Sequence, residues 1–60
     1  MRLVESLLVV KDGSSKFYLD GKRTTKQQYE EMQMFAVDWF NSSTTIKNGA
    51  TYYRKTLQTH

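Results

Sequence analysis

Hydrophobic and polar positions change period along the chain, and each change marks an element. Residues 2–10 are rich in Leu and Val and predict a strand. Its apolar run Leu7-Leu8-Val9-Val10 is unbroken, as in a strand covered on both faces, or covered on one and set against a second subunit. Asp12-Gly13 marks a turn, and Lys16-Phe17-Tyr18-Leu19 predicts the returning strand of a hairpin. A second Asp-Gly, at Asp20-Gly21, reverses the chain again through Lys22 and Arg23.

The pattern then shifts to a helical period. Thr25-Lys26-Gln27-Gln28 has the spacing of a capping box, with Thr25 as N-cap and the Gln28 side chain reaching back. From there to Phe40 the chain holds no Gly or Pro and one β-branched residue, Val37, which predicts one continuous helix. Tyr29, Met32, Phe35, Ala36, Trp39 and Phe40 fall on one stripe, with Glu30, Glu31 and Asp38 opposite. Aromatic residues at this spacing predict core, since each buries on the order of 150–250 Å². Asn41, tolerant of left-handed backbone, is the expected stop.

Beyond it, Asn48-Gly49 is the preferred type I′ hairpin turn, and a two-residue loop fixes the register. Lys47 should pair with Ala50, Ile46 with Thr51, Thr45 with Tyr52, Thr44 with Tyr53 and Ser43 with Arg54. Alternation places Thr44, Ile46, Thr51, Tyr53, Lys55 and Leu57 on one face, which is assigned to the core because it holds the large aliphatic residues. Ser43, Thr45, Lys47, Ala50, Tyr52, Arg54 and Thr56 form the other. The expected architecture is α+β: a ββαββ chain whose two hairpins give an antiparallel sheet with one amphipathic helix packed across it. Whether both hairpins share one sheet within the chain is left open.

Composition narrows the class of protein. Sixty residues make a single small domain, 1–60, and at this size folding removes only about 60% of the unfolded chain's surface from water. There is no cysteine, so disulfides and Cys-based zinc sites are excluded. The remaining supports are an aromatic core, for which 13% aromatic residues suffice, and a homodimer interface. The apolar run near the start carries Glu5 and is far shorter than the roughly 20 residues that span a bilayer. Without a secretory pattern or thiols, a cytoplasmic location and no membrane association are expected. The net charge of +3 is compatible with nucleic acid or an acidic protein surface.

Catalytic parts are missing from the pattern. His60 is the only histidine and the last residue, Glu30 and Glu31 diverge by about 100° on a helix, and the three glycines each sit at a turn. No enzyme activity, metal or cofactor is therefore expected. Two binding surfaces remain. Met34 and Val37 lie off the centre of the apolar stripe among Gln33, Glu30 and Asp38, where apolar side chains suit contact with another chain. Met34 also fits ordinary scattered exposure, and Val37 the edge of a wide core stripe. Lys47, Tyr52, Arg54 and Lys55 put a ring beside cations without nearby acids, the parts of a nucleic-acid platform. The same residues also suit an ordinary solvated strand. Lys16, Lys22, Arg23 and Lys26, near the helix start, read as a solvated turn.

The segment Lys16-Phe17-Tyr18-Leu19-Asp20-Gly21-Lys22-Arg23-Thr24-Thr25-Lys26, followed by Tyr29, resembles a strand–DGKR–helix cassette of short accessory proteins encoded by bacteriophages. That resemblance implies an intracellular regulator or inhibitor that binds a host protein by occupying its surface. The expected function is thus a non-enzymatic protein-binding module, with nucleic-acid binding through the second hairpin as the alternative.

Overall fold

A computed structural model of the chain describes residues 2–59. Five strands and one helix follow in the order β1 (Arg2–Lys11), β2 (Ser14–Leu19), β3 (Lys22–Thr24), α1 (Lys26–Phe35), β4 (Asp38–Lys47) and β5 (Ala50–Thr59). All strands join one antiparallel sheet in the order β3-β2-β1-β5-β4. The α+β class is as expected, but the chain is βββαββ rather than ββαββ. The second Asp-Gly turn is followed by a third, short strand, and the two hairpins merge through ten β1–β5 pairs, from Arg2↔Thr59 to Lys11↔Ala50.

Three Asx-Gly turns set this register. Asp12 and Gly13, Asp20 and Gly21, and Asn48 and Gly49 all have φ between 51° and 79°, the left-handed pair that a type I′ turn requires. The second hairpin pairs as its turn dictates: Lys47 with Ala50, Ile46 with Thr51, Thr45 with Tyr52, Thr44 with Tyr53 and Ser43 with Arg54. The Asp20 turn is also tied to the central strand. Its backbone N–H donates to the Glu5 carbonyl (2.8 Å), and its carboxylate accepts from the Glu5 N–H and from Arg2.

The helix begins as expected and ends early. Thr25 is the N-cap and its hydroxyl accepts from the Gln28 N–H at 3.2 Å, while the Gln28 side chain reaches back to the Thr24 hydroxyl. Ala36 is already extended (φ −67°, ψ 132°), and the Val37 N–H bonds the Gln58 carbonyl instead of continuing the helix. Trp39 and Phe40, expected on the helical stripe, lie in β4 opposite Leu57 and Thr56. The reason is the register of the last hairpin: once the Asn48-Gly49 turn aligns β4 with β5, residues 56–58 need strand partners, and the chain before Ser43 supplies them. Aromatic residues favour that outcome. Asn41 does adopt left-handed backbone (φ 55°), but within a bulge between Phe40 and Ser43, where β4 carries one residue more than β5.

The core is small and lies under the helix. Val4 and Leu57, paired across β1 and β5, are each 1% exposed, and Ser6 is fully buried beside them. Tyr29 drops onto this point from α1, with its ring 5.1 Å from that of Phe17. The Ser6 hydroxyl donates to the Lys55 carbonyl and is also a hydrogen-bond partner of the Tyr29 side chain. A small polar residue in the middle of the strand thus leaves room for the ring and satisfies its hydroxyl. Within the chain only one face of the sheet is covered, so of the two arrangements the apolar run allowed, cover on both faces is not seen, and Leu7 and Val9 lie half-buried on the open face.

Even that face is covered in part. A ten-residue helix is about 15 Å long, whereas β1, β4 and β5, ten residues each, run about 33 Å. Of the face assigned to the core, Leu57 is buried, but Ile46 and Tyr53 are 77% and 43% exposed. The accessible surface is 4544 Å², against about 4,100 Å² expected of a folded 7.1 kDa chain.

Burial raises the Tyr29 pKa above its ordinary value, with the Ser6 hydrogen bond opposing. A raised acid pKa means that stability is fully present below the unfolded tyrosine pKa, near 10, and is lost as pH rises through the folded value. Denaturation midpoints measured from pH 8 to about 11 should therefore fall more steeply for the native chain than for Tyr29→Phe; parallel curves would contradict the burial.

Candidate protein-binding surface and open sheet face

On the helix side, the uncovered surface runs along β4. This strand is exposed throughout and, at the end of the sheet order, pairs on one side only. The other edge, β3, has three residues. A long, unblunted edge offers backbone groups that another strand can satisfy. Around the start of β4 are the side chains that the short helix leaves exposed: Met34 (85%), Phe35 (68%), Val37 (52%) and Trp39 (57%). A shallow groove lined by Leu8, Tyr29, Ser43, Thr44, Tyr53 and Lys55 crosses the same face.

Met34 is where the sequence put it, on an exposed part of the helix. Val37 is exposed as well, but lies outside the helix, in the link to β4. Phe35 and Trp39 were assigned to the core by their helical spacing, and are instead part of the exposed segment. The signal that would have found them is the register of β5, which extends past Arg54 to residues that need partners.

The opposite face carries no helix. Alternation from the paired residues places Lys47, Tyr52 and Arg54 there together, and they line one groove with Ser43 and Thr45. Lys55 does not belong with them. It points to the helix side, where its ammonium lies 5.3 Å from the centre of the Trp39 ring, a cation–π contact. The basic group near the helix start is also divided: Lys16 and Arg23 face the open side, Lys22 the helix side, and Lys26 pairs with Glu30 at 3.9 Å. His60 lies outside the described residues.

Among the described residues no group of three or more His, Cys, Asp or Glu is placed to hold a metal ion, and no helix is long and apolar enough to cross a membrane. Comparison with protein-family models, with curated proteins and with solved structures gives no match.

The split of the two lysine-bearing faces has a spectroscopic consequence, since Trp39 is the only tryptophan. Lys55→Gln should change Trp39 fluorescence by removing the cation from the ring, and Lys47→Gln should leave it unchanged. Equal responses would contradict the assignment of Lys55 to the helix side.

Proposed function

We propose that the protein is a non-catalytic protein-binding module whose recognition surface is the exposed segment 34–40 together with the free edge of β4. The observation that carries this reading is the exposure of Met34, Phe35, Val37 and Trp39, each more than half accessible and all within six consecutive residues. Scattered apolar residues on a surface are ordinary, but a cluster containing two large aromatic rings beside an open strand edge is the composition of an interface centre.

The chemistry of the edge specifies the kind of partner. An extended polypeptide pairing with β4 would satisfy its outward N–H and C=O groups, while Trp39 and Ile46, on the helix side of that strand, would contact alternate side chains of the added segment. A host protein is the partner that fits the resemblance of residues 16–29 to phage accessory proteins. The reading is then of an inhibitor or regulator in the cytoplasm that acts by occupying a surface. A second copy of the chain would fit the same edge, giving a homodimer.

The test uses Met34→Glu with Val37→Glu. Both positions are exposed, so stability should change by no more than about 0.5 kcal/mol each. Partner capture by the tagged protein, and any concentration-dependent self-association measured by light scattering, should be lost in the double variant. Unchanged capture and unchanged oligomeric state, in a variant that still folds, would remove this surface from consideration.

A further inference from the structure

The charged residues are distributed unevenly between the two sides of the sheet. Of the nine Lys and Arg residues, Arg2 pairs with Asp20, Lys26 pairs with Glu30, and Lys55 is held over Trp39. Lys22 stands on the helix side, opposite Leu19. The other five, Lys11, Lys16, Arg23, Lys47 and Arg54, all lie on the open face, are exposed, and have no carboxylate partner among the described residues.

Register shows how they are arranged. One row across the sheet reads Ser43, Arg54, Leu7, Tyr18, Arg23; the next reads Thr45, Tyr52, Val9, Lys16; the third reads Lys47, Ala50, Lys11, Ser14. Tyr52 therefore lies among Arg54, Lys47 and Lys11, and Tyr18 lies at the margin between Lys16 and Arg23, both half-buried on a surface with no covering element. With strands about 4.8 Å apart and same-face residues about 6.7 Å apart, the patch measures roughly 19 by 13 Å. Two acids border the patch: Glu5 lines a groove with Leu7, Tyr18 and Arg54, and Asp12, in the β1–β2 turn, lines one with Lys11, Lys16, Tyr18 and Tyr52. Asp38 lies farther off, toward the end of the sheet away from the Asn48-Gly49 turn.

We infer that this open face binds single-stranded nucleic acid, with the five cations neutralising phosphates and Tyr18 and Tyr52 stacking on bases. Charge complementarity identifies a polyanion. The two rings among the cations distinguish a single strand, whose bases are free to stack, from a duplex, whose bases are not. An anionic membrane fits less well, because the apolar centre of the patch, Leu7 and Val9, is half-buried and flat rather than projecting. The patch faces the opposite side of the sheet from Trp39 and Ile46, and it shares with the protein-binding surface proposed above only β4, which carries Lys47.

The experiment is a titration of the whole chain with fluorescent oligonucleotides of about 12 nucleotides, single-stranded DNA and RNA and duplex DNA, at several salt concentrations. Single strands should bind in preference to duplex, with log affinity falling against log salt at a slope of about 3.5, the value for five phosphates neutralised on a single strand. Arg54→Gln should lower that slope by about 0.7, and Lys55→Gln, on the other side, should not change it. Tyr52→Ala should weaken single-strand binding by about 5- to 150-fold, the loss of one stacked base, with Tyr52→Phe restoring it. Met34→Glu with Val37→Glu should leave it intact, so a failure here is separable from a failure of the protein-binding surface. No single-strand binding at low salt, binding to duplex alone, binding to phosphatidylserine vesicles alone, or equal loss from Lys55→Gln and Arg54→Gln would overturn the inference.

Discussion

A helix of ten residues reaches about 15 Å, and the three longest strands of this sheet reach about twice as far. Everything distinctive about the molecule depends on that mismatch. The helix packs against β2, where Tyr29 meets Phe17, on the side of the sheet that buries the Val4–Leu57 pair. Fully burying Val4 and Leu57 is worth about 1.5–3 kcal/mol each, a large share of the stability available to a chain of this length. Beyond the reach of α1, the sheet has nothing above it, and the residues that a longer helix would have buried become surface.

How far the sequence revealed this depended on whether the signal was local. The three Asx-Gly turns were legible because left-handed backbone at both turn residues is a local requirement, and the register of the last hairpin followed from its loop length alone. The N-terminus of the helix was legible from Thr25 for the same reason. The C-terminus was not. Nothing in residues 36–40 forbids helix, and their apolar positions have helical spacing. What decides their conformation is the need of Thr56, Leu57 and Gln58, far along the chain, for strand partners. The joining of the hairpins through β1 and β5 is likewise a long-range pairing that no local pattern specifies. For the candidate surfaces, Met34 was recognised as exposed, whereas Phe35 and Trp39 were missed because their exposure follows from the early helix end. Lys55 was grouped with Lys47 and Arg54 by proximity in sequence, although alternation places it on the other face.

The two sides of the sheet differ in chemistry as well as in cover. The helix side combines exposed aromatic and aliphatic residues with a free strand edge, and three of the cations outside the open face are engaged there by carboxylates or an aromatic ring. The open side holds the unpaired cations and two tyrosines. A domain too small to enclose both faces of its sheet has two surfaces available for recognition, and the two proposals assign one to a polypeptide and the other to a polyanion.

The central claim is that the chain leaves the helix after Phe35 and enters β4 at Asp38, and it is tested most directly by backbone NMR of residues 34–40. Extended chemical shifts from Asp38 onward and cross-strand contacts between Trp39 and Leu57 are expected. Helical shifts continuing through Phe40, with contacts between residues three apart in sequence, would contradict it, because Trp39 would then lie on the helix and the exposed segment would not exist.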